Sequence, residues 1–171
     1  MMGALAATPA GDEVEREVLG FGEIFLRPLR PDDRIAYCDF LRRLDREDVR
    51  LRMGHPVRAD RRLCERLLNY DRAREEAFIA LAADGAILGV ARIVLEPGEI
   101  AVIVRSDMKH RGIGEALLGR LVRFGRARGL AELSGYVLHE NRPMLGLARK
   151  HGCRFVDEPR SSLVELRFAV A

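Results

Sequence analysis

A short basic stretch near the middle of the chain combines residue types that can hold a phosphate. Residues 109–114 read "KHRGIG", in which Lys109, His110 and Arg111 precede two glycines separated by one isoleucine. An apolar run ends shortly before this stretch, and an amphipathic segment begins within it. A helix that begins at such a junction offers unpaired backbone N–H groups and a partial positive charge to an anion. The pattern predicts an anion site, although a tight turn without a ligand explains the same two glycines.

Glu99 begins the apolar run that leads to this stretch, and it is our candidate for moving a proton there. Because side chains alternate along a strand, Glu99 shares a face with Ala101 and Ile103. A carboxylate can accept a proton from a reacting group, directly or through one water. Since Glu99 directly follows a Pro-Gly turn, a solvated residue at the end of a strand is an equally open interpretation.

The elements around these residues follow from apolar spacing and turn residues. We predict a strand, two helices, three strands at hairpin spacing, a helix, a strand, a helix and two strands, in that order. The strand after Gly129 follows a helical crossover, so it can lie parallel to the strand that ends at Arg105. The prediction is an α/β (α+β) fold, with a mixed, mostly antiparallel sheet of about seven strands and about four helices on both faces.

The overall composition favours one globular domain with a small anionic ligand. The chain has 171 residues, of which 48% are hydrophobic and 32% charged, and its net charge is +3. This charge is too small to indicate a nucleic-acid partner. No apolar run reaches the length of a membrane span, so we predict no membrane partner. We expect residues 1–18 to form a flexible tail and residues 19–171 to form a single domain, while the oligomeric state is not predictable.

The cysteines and histidines predict neither a disulfide framework nor a metal site. Cys38, Cys64 and Cys153 are odd in number and widely separated, and the four histidines show no metal-ligand spacing. We therefore interpret all three cysteines as core residues, predict no bound metal, and expect a reducing, cytoplasmic location.

Two blocks of the sequence resemble one family. "KHRGIG" is similar to the (Gln/Arg)-x-x-Gly-x-(Gly/Ala) loop of the GNAT N-acetyltransferases, with Lys109 at the position where Gln or Arg is usual. "NRPMLGLARKHGCRF", from Asn141 onward, resembles the second conserved block of that family. The order of elements from about Ile24 to Val170 fits as well. The chain is thus similar to a single N-acetyltransferase domain.

This resemblance implies that acetyl-CoA is the acyl donor and co-substrate. The backbone of Val102, Ile103 and Val104 would pair with the pantetheine arm. The pyrophosphate would lie on the backbone of residues 109–115, namely Lys109, His110, Arg111, Gly112, Ile113, Gly114 and Glu115. Asn141 and Lys150 would contact the cofactor, although a helix cap for Asn141 and a solvated charge for Lys150 remain alternatives.

The same resemblance implies direct transfer to an amine in a ternary complex, with Glu99 as general base. Many family members carry a tyrosine as general acid where this chain has Ala148. A thiolate leaves readily, since its conjugate thiol has a pKa of about 8.5, so solvent or substrate can supply that proton.

The Glu99 position, the "LARK" block and the arginine-rich front end look most like the bacterial protein-lysine acetyltransferases. The predicted function is therefore transfer of acetyl to a primary amine, with a protein lysine as the favoured acceptor. The alternatives are a small-molecule amine acceptor, or a catalytically silent acetyl-CoA-binding regulatory domain. A nicotinamide-nucleotide domain is a distant third, because Leu117 stands where the third glycine of its fingerprint belongs. The arginines between Arg42 and Arg74 form either a solvated helical face or a docking surface for an acidic substrate.

Overall fold

The computed structural model describes residues 13–170, which form one mixed β-sheet with helices on both faces. The strands are β1 (Glu15–Leu19), β2 (Gly22–Pro28), β3 (Glu75–Leu81), β4 (Ile87–Val94), β5 (Glu99–Val104), β6 (Glu132–Leu138), β7 (Arg154–Asp157) and β8 (Leu163–Ala169). The α-helices are α1 (Arg34–Arg42), α2 (Arg46–Met53), α3 (Arg61–Leu68), α4 (Ile113–Ala127) and α5 (Arg142–Lys150). None of these helices is both long and apolar enough to cross a lipid bilayer.

Two apolar clusters, one on each face of the sheet, hold the helices in place. On β3, Ala77 and Ile79 belong to the cluster that includes α1, α2 and α3, whereas Phe78 and Ala80 belong to the cluster that includes α4 and α5. Because both faces are covered, β3 and β4 are apolar at nearly every position instead of alternating. Helices cover both faces of the sheet in this three-layer arrangement, so the ends of the strands remain open for a site.

The sheet has the order β1-β2-β3-β4-β5-β6-β8-β7, and every pairing in it is antiparallel except that of β5 with β6. The parallel pair confirms the predicted crossover through α4. Glu99 opposite Ser134 is the one registered pair between β5 and β6, while β5 pairs with β4 from Glu99 through Val104. The two strands therefore meet at the start of β5 and part toward its end.

The fold class is as predicted, but residues 13–170 contain more elements than the sequence indicated. The additional strand β1 begins at Glu15, inside the segment that we assigned to the tail, so that boundary is corrected. Glu15 forms ion pairs with Arg120 and Arg123 of α4, and these contacts hold the edge strand against the domain. Such long-range pairs leave no local signal in the sequence. The rest of the predicted tail, residues 1–12, lies outside the described residues.

The additional helix arises because the first predicted helix is broken at Asp45. Asp45 has extended backbone angles (φ −66°, ψ 148°), and its N–H donates to Ser106 Oγ at 2.8 Å. Apolar spacing continues through the break, but a contact with a residue 61 positions later separates α1 from α2.

The expectation that no disulfide forms is wrong. Cys38 of α1 and Cys64 of α3 are joined by a disulfide across 26 residues, while Cys153 is free and partly buried. The spacing of the two cysteines gave no indication of the pair, because it depends on the packing of α1 against α3. One of the arguments for a cytoplasmic location is thereby removed, and that location stays a prediction.

Candidate active site

A cleft of about 750 Å³ opens where β5 and β6 part. Its lining comes from α2, the end of β5, the loop before α4, the first turn of α4, and α5 along its length. The predicted site residues that line it are Val102, Ile103, Val104, Lys109, His110, Gly112, Ile113, Gly114, Glu115, Asn141 and Lys150. The structure thus brings together two sequence blocks that are separated by almost thirty residues along the chain.

The end of β5 presents an open backbone edge to this cleft. The N–H of Arg105 donates to Leu88 O at 2.8 Å, in line with β4. Because hydrogen-bonding directions alternate along an antiparallel strand, Val102 and Val104 direct their N–H and C=O groups away from β4, into the gap. An extended ligand can add to such an edge as an additional strand.

The loop before α4 is shaped by Gly112. Gly112 has φ +90° and caps the N-terminus of α4, so it adopts a left-handed conformation that suits glycine. A Cβ on Gly112 would also lie 3.4 Å from Leu19 Cδ2. The first N–H groups of α4 have no partner within the helix, and they border the cleft. This loop can therefore hold an anionic group on backbone donors.

The backbone N–H groups of the loop border the cleft, but the side chains of Lys109 and Arg111 contact other residues of the protein. Lys109 Nζ forms an ion pair with the buried carboxylate of Asp48 on α2, which also accepts a hydrogen bond of 2.6 Å from Ser106 Oγ. The Arg111 guanidinium lies 5.7 Å from the ring centroid of Phe21, and Arg111 is absent from the cleft lining in the described part of the chain. Much of the positive charge of "KHRGIG" is thus engaged by the protein itself.

The second block contributes a cap and an ion pair at the mouth of the cleft. Asn141 Oδ1 accepts a hydrogen bond of 3.2 Å from Met144 N–H, so the interpretation of Asn141 as the cap of α5 is confirmed. Lys150 Nζ lies 2.9 Å from Glu115 Oε2 of α4. The hydrogen bond from Lys150, reinforced by its charge, lowers the pKa of Glu115.

Glu99 lies at the start of β5 and is exposed. It shares the strand face of Ile103, as the alternation predicted, but it is not among the described residues that line the cleft. Its charge acts on Arg52 of α2, which does line the cleft. Glu99 therefore lies beyond the end of the cleft, within electrostatic range of one of its lining residues.

The sequence analysis left a docking surface open for the segment that contains α2, but it named no residue of this helix as a site residue. Asp48, Leu51 and Arg52 line the cleft from this helix. Arg50 of α2 also pairs with Glu140 of the β6–α5 loop at 2.8 Å, so α2 contacts both sides of the cleft. The apolar spacing that identified a helix here gave no sign of these contacts, because they depend on tertiary packing.

Comparison with known proteins agrees with this geometry. The sequence profile of the Acetyltransferase (GNAT) family matches residues 38–153. The chain therefore belongs to the GNAT family of acetyltransferases, which makes it an acyltransferase.

Solved structures show the same fold. The GNAT domain of S. lividans PAT has a TM-score of 0.83 and 22% identity, over 91% of this chain and 96% of that one. The Mycobacterium smegmatis RimJ in complex with CoA-disulfide has a TM-score of 0.66 and 20% identity, over 91% and 86%. A cAMP-binding acyltransferase from Mycobacterium smegmatis has a TM-score of 0.61 and 25% identity over 93% of this chain. The match spans about half, 48%, of that acyltransferase.

Proposed function

We propose that this protein transfers the acetyl group of acetyl-CoA to a primary amine, and that the acceptor is a lysine side chain of a protein. The observation that carries the proposal is the meeting of an open β5 edge, a glycine-shaped helix N-terminus and α5 around one cleft. The solved complex of RimJ with CoA-disulfide, a protein of the same fold, supports the choice of donor. The fold likeness to S. lividans PAT and the similarity of the second sequence block to protein-lysine acetyltransferases support the choice of acceptor.

In this proposal β5, the N-terminus of α4 and α5 each hold one part of the donor, and the α2 wall of the cleft is left for the acceptor. The N–H and C=O groups of Val102 and Val104 pair with the amides of the pantetheine arm. The backbone of residues 109–115 holds the pyrophosphate, since the first turn of α4 offers N–H donors there. Asn141 and Lys150 contact the donor from α5, and the Lys150 ammonium has N–H donors beyond the one that Glu115 accepts.

The proposed reaction is direct transfer, which needs no covalent enzyme intermediate. The Glu99 carboxylate accepts a proton from the acceptor ammonium, because a lysine with a pKa near 10.4 is otherwise protonated at neutral pH. The free amine attacks the thioester carbonyl, the new C–N bond forms, and the C–S bond breaks to release a thiolate. Since Ala148 offers no proton at the usual tyrosine position, solvent or the substrate protonates that thiolate.

The test is acetylation of proteins in a cell lysate. The enzyme is incubated with acetyl-CoA that carries a heavy-isotope acetyl group, and mass spectrometry identifies the lysines that acquire it. A parallel incubation without enzyme measures non-enzymatic acetylation. We expect heavy acetyl groups on a limited set of lysines, well above this background. Labelling that equals the background, together with CoA release when small amines are added, would instead show a small-molecule acceptor.

A second candidate, a silent acetyl-CoA-binding regulatory domain, is favoured by two observations. Glu99 lies outside the cleft lining in residues 13–170, and Ala148 cannot act as an acid. Acetyl-CoA would then raise the melting temperature of the protein by mass action, without CoA release in the presence of any amine.

A further inference from the structure

Arg52 lies between the cleft and a second, smaller cavity. It occupies the last turn of α2 and lines the cleft together with Ile103. The same two residues line a narrow apolar cavity of about 30 Å³, which also touches Tyr37 and Arg92. Arg52 therefore stands on the strand face of Glu99 and Ile103, and the proposed base Glu99 assigns the acceptor amine to that face.

The pairing of Arg52 differs from that of every comparable arginine in residues 13–170. Seven arginines in this part of the chain are buried or partly buried. Six of them donate to a carboxylate or a backbone carbonyl: Arg27, Arg50, Arg92, Arg105, Arg120 and Arg167. Arg52, the seventh, forms no hydrogen bond or ion pair with any described residue.

The electrostatic surroundings leave Arg52 short of negative charge. Burial lowers the pKa of the Arg52 guanidinium, and the like charge of Arg92 lowers it further, while Tyr37 and Glu99 raise it. An arginine nevertheless stays protonated in proteins. A partly buried guanidinium without a hydrogen-bonded anion can pair with a ligand that supplies one.

We propose that Arg52 binds a carboxylate of the acceptor, so that the enzyme selects a lysine that lies next to an aspartate or glutamate. This inference rests on the proposed function and adds the sequence context of the acceptor. The planar guanidinium matches a carboxylate with two parallel hydrogen bonds. The donor phosphates belong beyond the end of β5, on the N-terminus of α4, where backbone N–H groups line the cleft. Arg52 thus positions the acceptor and stays separate from donor binding.

The experiment compares acceptors that differ in one charge. The first arm uses short peptides with blocked ends and a single lysine, carrying either glutamate or glutamine beside it. The second arm uses Nα-acetyl-lysine and its amide, which differ only in the α-carboxylate. The kcat/KM of each acceptor is measured for the wild type, Arg52→Gln, Arg52→Lys and a control, Arg66→Gln, which removes an exposed arginine of α3. Thermal shift with acetyl-CoA reports whether each variant keeps its fold and its donor site.

We expect the wild type and Arg66→Gln to prefer the glutamate peptide by about tenfold or more, since a buried charge pair strongly affects recognition. Arg52→Gln should lose this preference through a higher KM, with the acetyl-CoA shift unchanged, and Arg52→Lys should keep part of it.

Equal kcat/KM for both peptides in the wild type, or a preference that persists in Arg52→Gln, would overturn the inference while leaving lysine acetylation intact. An Arg52-dependent preference seen only with Nα-acetyl-lysine would show that Arg52 binds an acceptor carboxylate. It would also show that this acceptor is a small molecule and not a protein. Absence of transfer in both arms would overturn the inference together with the proposed function.

Discussion

At the scale of single residues, Glu99 carries the proton-transfer part of the proposed mechanism. Glu99→Gln keeps the size and polarity of the side chain but removes the base. We expect acetyl-CoA affinity to remain close to that of the wild type, and transfer at neutral pH to fall by about 10²–10⁴-fold. Steady-state kinetics at pH 7 and calorimetric titration with acetyl-CoA measure the two effects.

The matched control is Glu96→Gln, which removes an exposed carboxylate three residues earlier in the β4–β5 turn. It should leave both measurements unchanged. Turnover of Glu99→Gln at the wild-type rate would remove Glu99 from the mechanism.

Replacement of Gly112 tests whether the backbone of the loop holds the pyrophosphate. In Gly112→Val the side chain is strained at φ +90° and approaches Leu19, so the loop must shift away from the geometry that offers its N–H groups. We expect acetyl-CoA affinity to fall at least about tenfold, because the backbone can no longer approach the pyrophosphate closely. Titration with acetyl-CoA measures this change.

Gly85→Val is the control, because Gly85 has a similar φ of +85° in the β3–β4 turn, and a Cβ there would meet no atom of the described residues within 4 Å. It should destabilise the protein to a similar degree but bind acetyl-CoA normally. Wild-type affinity in Gly112→Val would show that the loop does not hold the pyrophosphate.

The residues that the sequence revealed are those whose signal is local. The glycines of the loop and Asn141 at its helix start are recognisable because turn and cap chemistry act over a few positions. Asp48 and Arg52 have no such signal, since their significance comes from facing another element. For the same reason the engagement of Lys109 by Asp48 was not predictable.

At the scale of elements, the start of α1 depends on one buried ion pair. Arg27 of β2 donates two hydrogen bonds of 2.8 and 2.7 Å to Asp33, and the N–H of Arg30 donates a third. Burial alone would raise the pKa of Asp33, but these hydrogen bonds outweigh it and hold that pKa below its usual value. Asp33 therefore stabilises the fold fully above its unfolded pKa of about 3.9, and this stability is lost as the pH falls through the lower folded value.

Asp33→Asn should lower the free energy of unfolding at pH 7 by about 1–3 kcal/mol and flatten its decline below pH 5. Urea unfolding at several pH values measures both. Asp32→Asn, at the exposed neighbouring position, should retain the wild-type profile. An acid profile of Asp33→Asn that matches the wild type would contradict the assigned role.

The disulfide between α1 and α3 is a second link between elements. Alkylation of the unfolded, unreduced protein should modify one cysteine, Cys153, and reduction should expose all three to the reagent, as measured by intact mass. The double variant Cys38→Ser/Cys64→Ser should lose about 3 kcal/mol of unfolding free energy. Cys153→Ser should change it little, and three modified cysteines before reduction would contradict the pair.

The types and order of the elements were largely predictable, because apolar spacing and turn residues act within each element. The limits of prediction appear at Glu15 and Asp45. An edge strand held by ion pairs to α4 and a helix break held by Ser106 both depend on residues far away in the sequence.

At the scale of the whole molecule, the sequence predicted the parallel arrangement of β5 and β6 from one helical crossover. It did not predict that the two strands separate. The α4 segment requires the two strands to lie parallel, and this much is visible in the sequence. That they share one registered pair and then diverge depends on α2 and α5, which pack around the gap. The position of the cleft was therefore predictable from its loop, whereas its width and its α2 wall were not.

The parting of β5 and β6 also determines where this protein exposes unpaired strand backbone. Unpaired strand backbone usually lies at the rim of a sheet, where a strand of another chain can join it and begin aggregation. Here the unpaired groups of Val102 and Val104 lie in the middle of the sheet, flanked by α2 and α5. A strand of another chain would have to enter between α2 and α5 to reach these groups. The fold thus offers one strand edge to a ligand inside the cleft and keeps that edge away from the rim of the sheet.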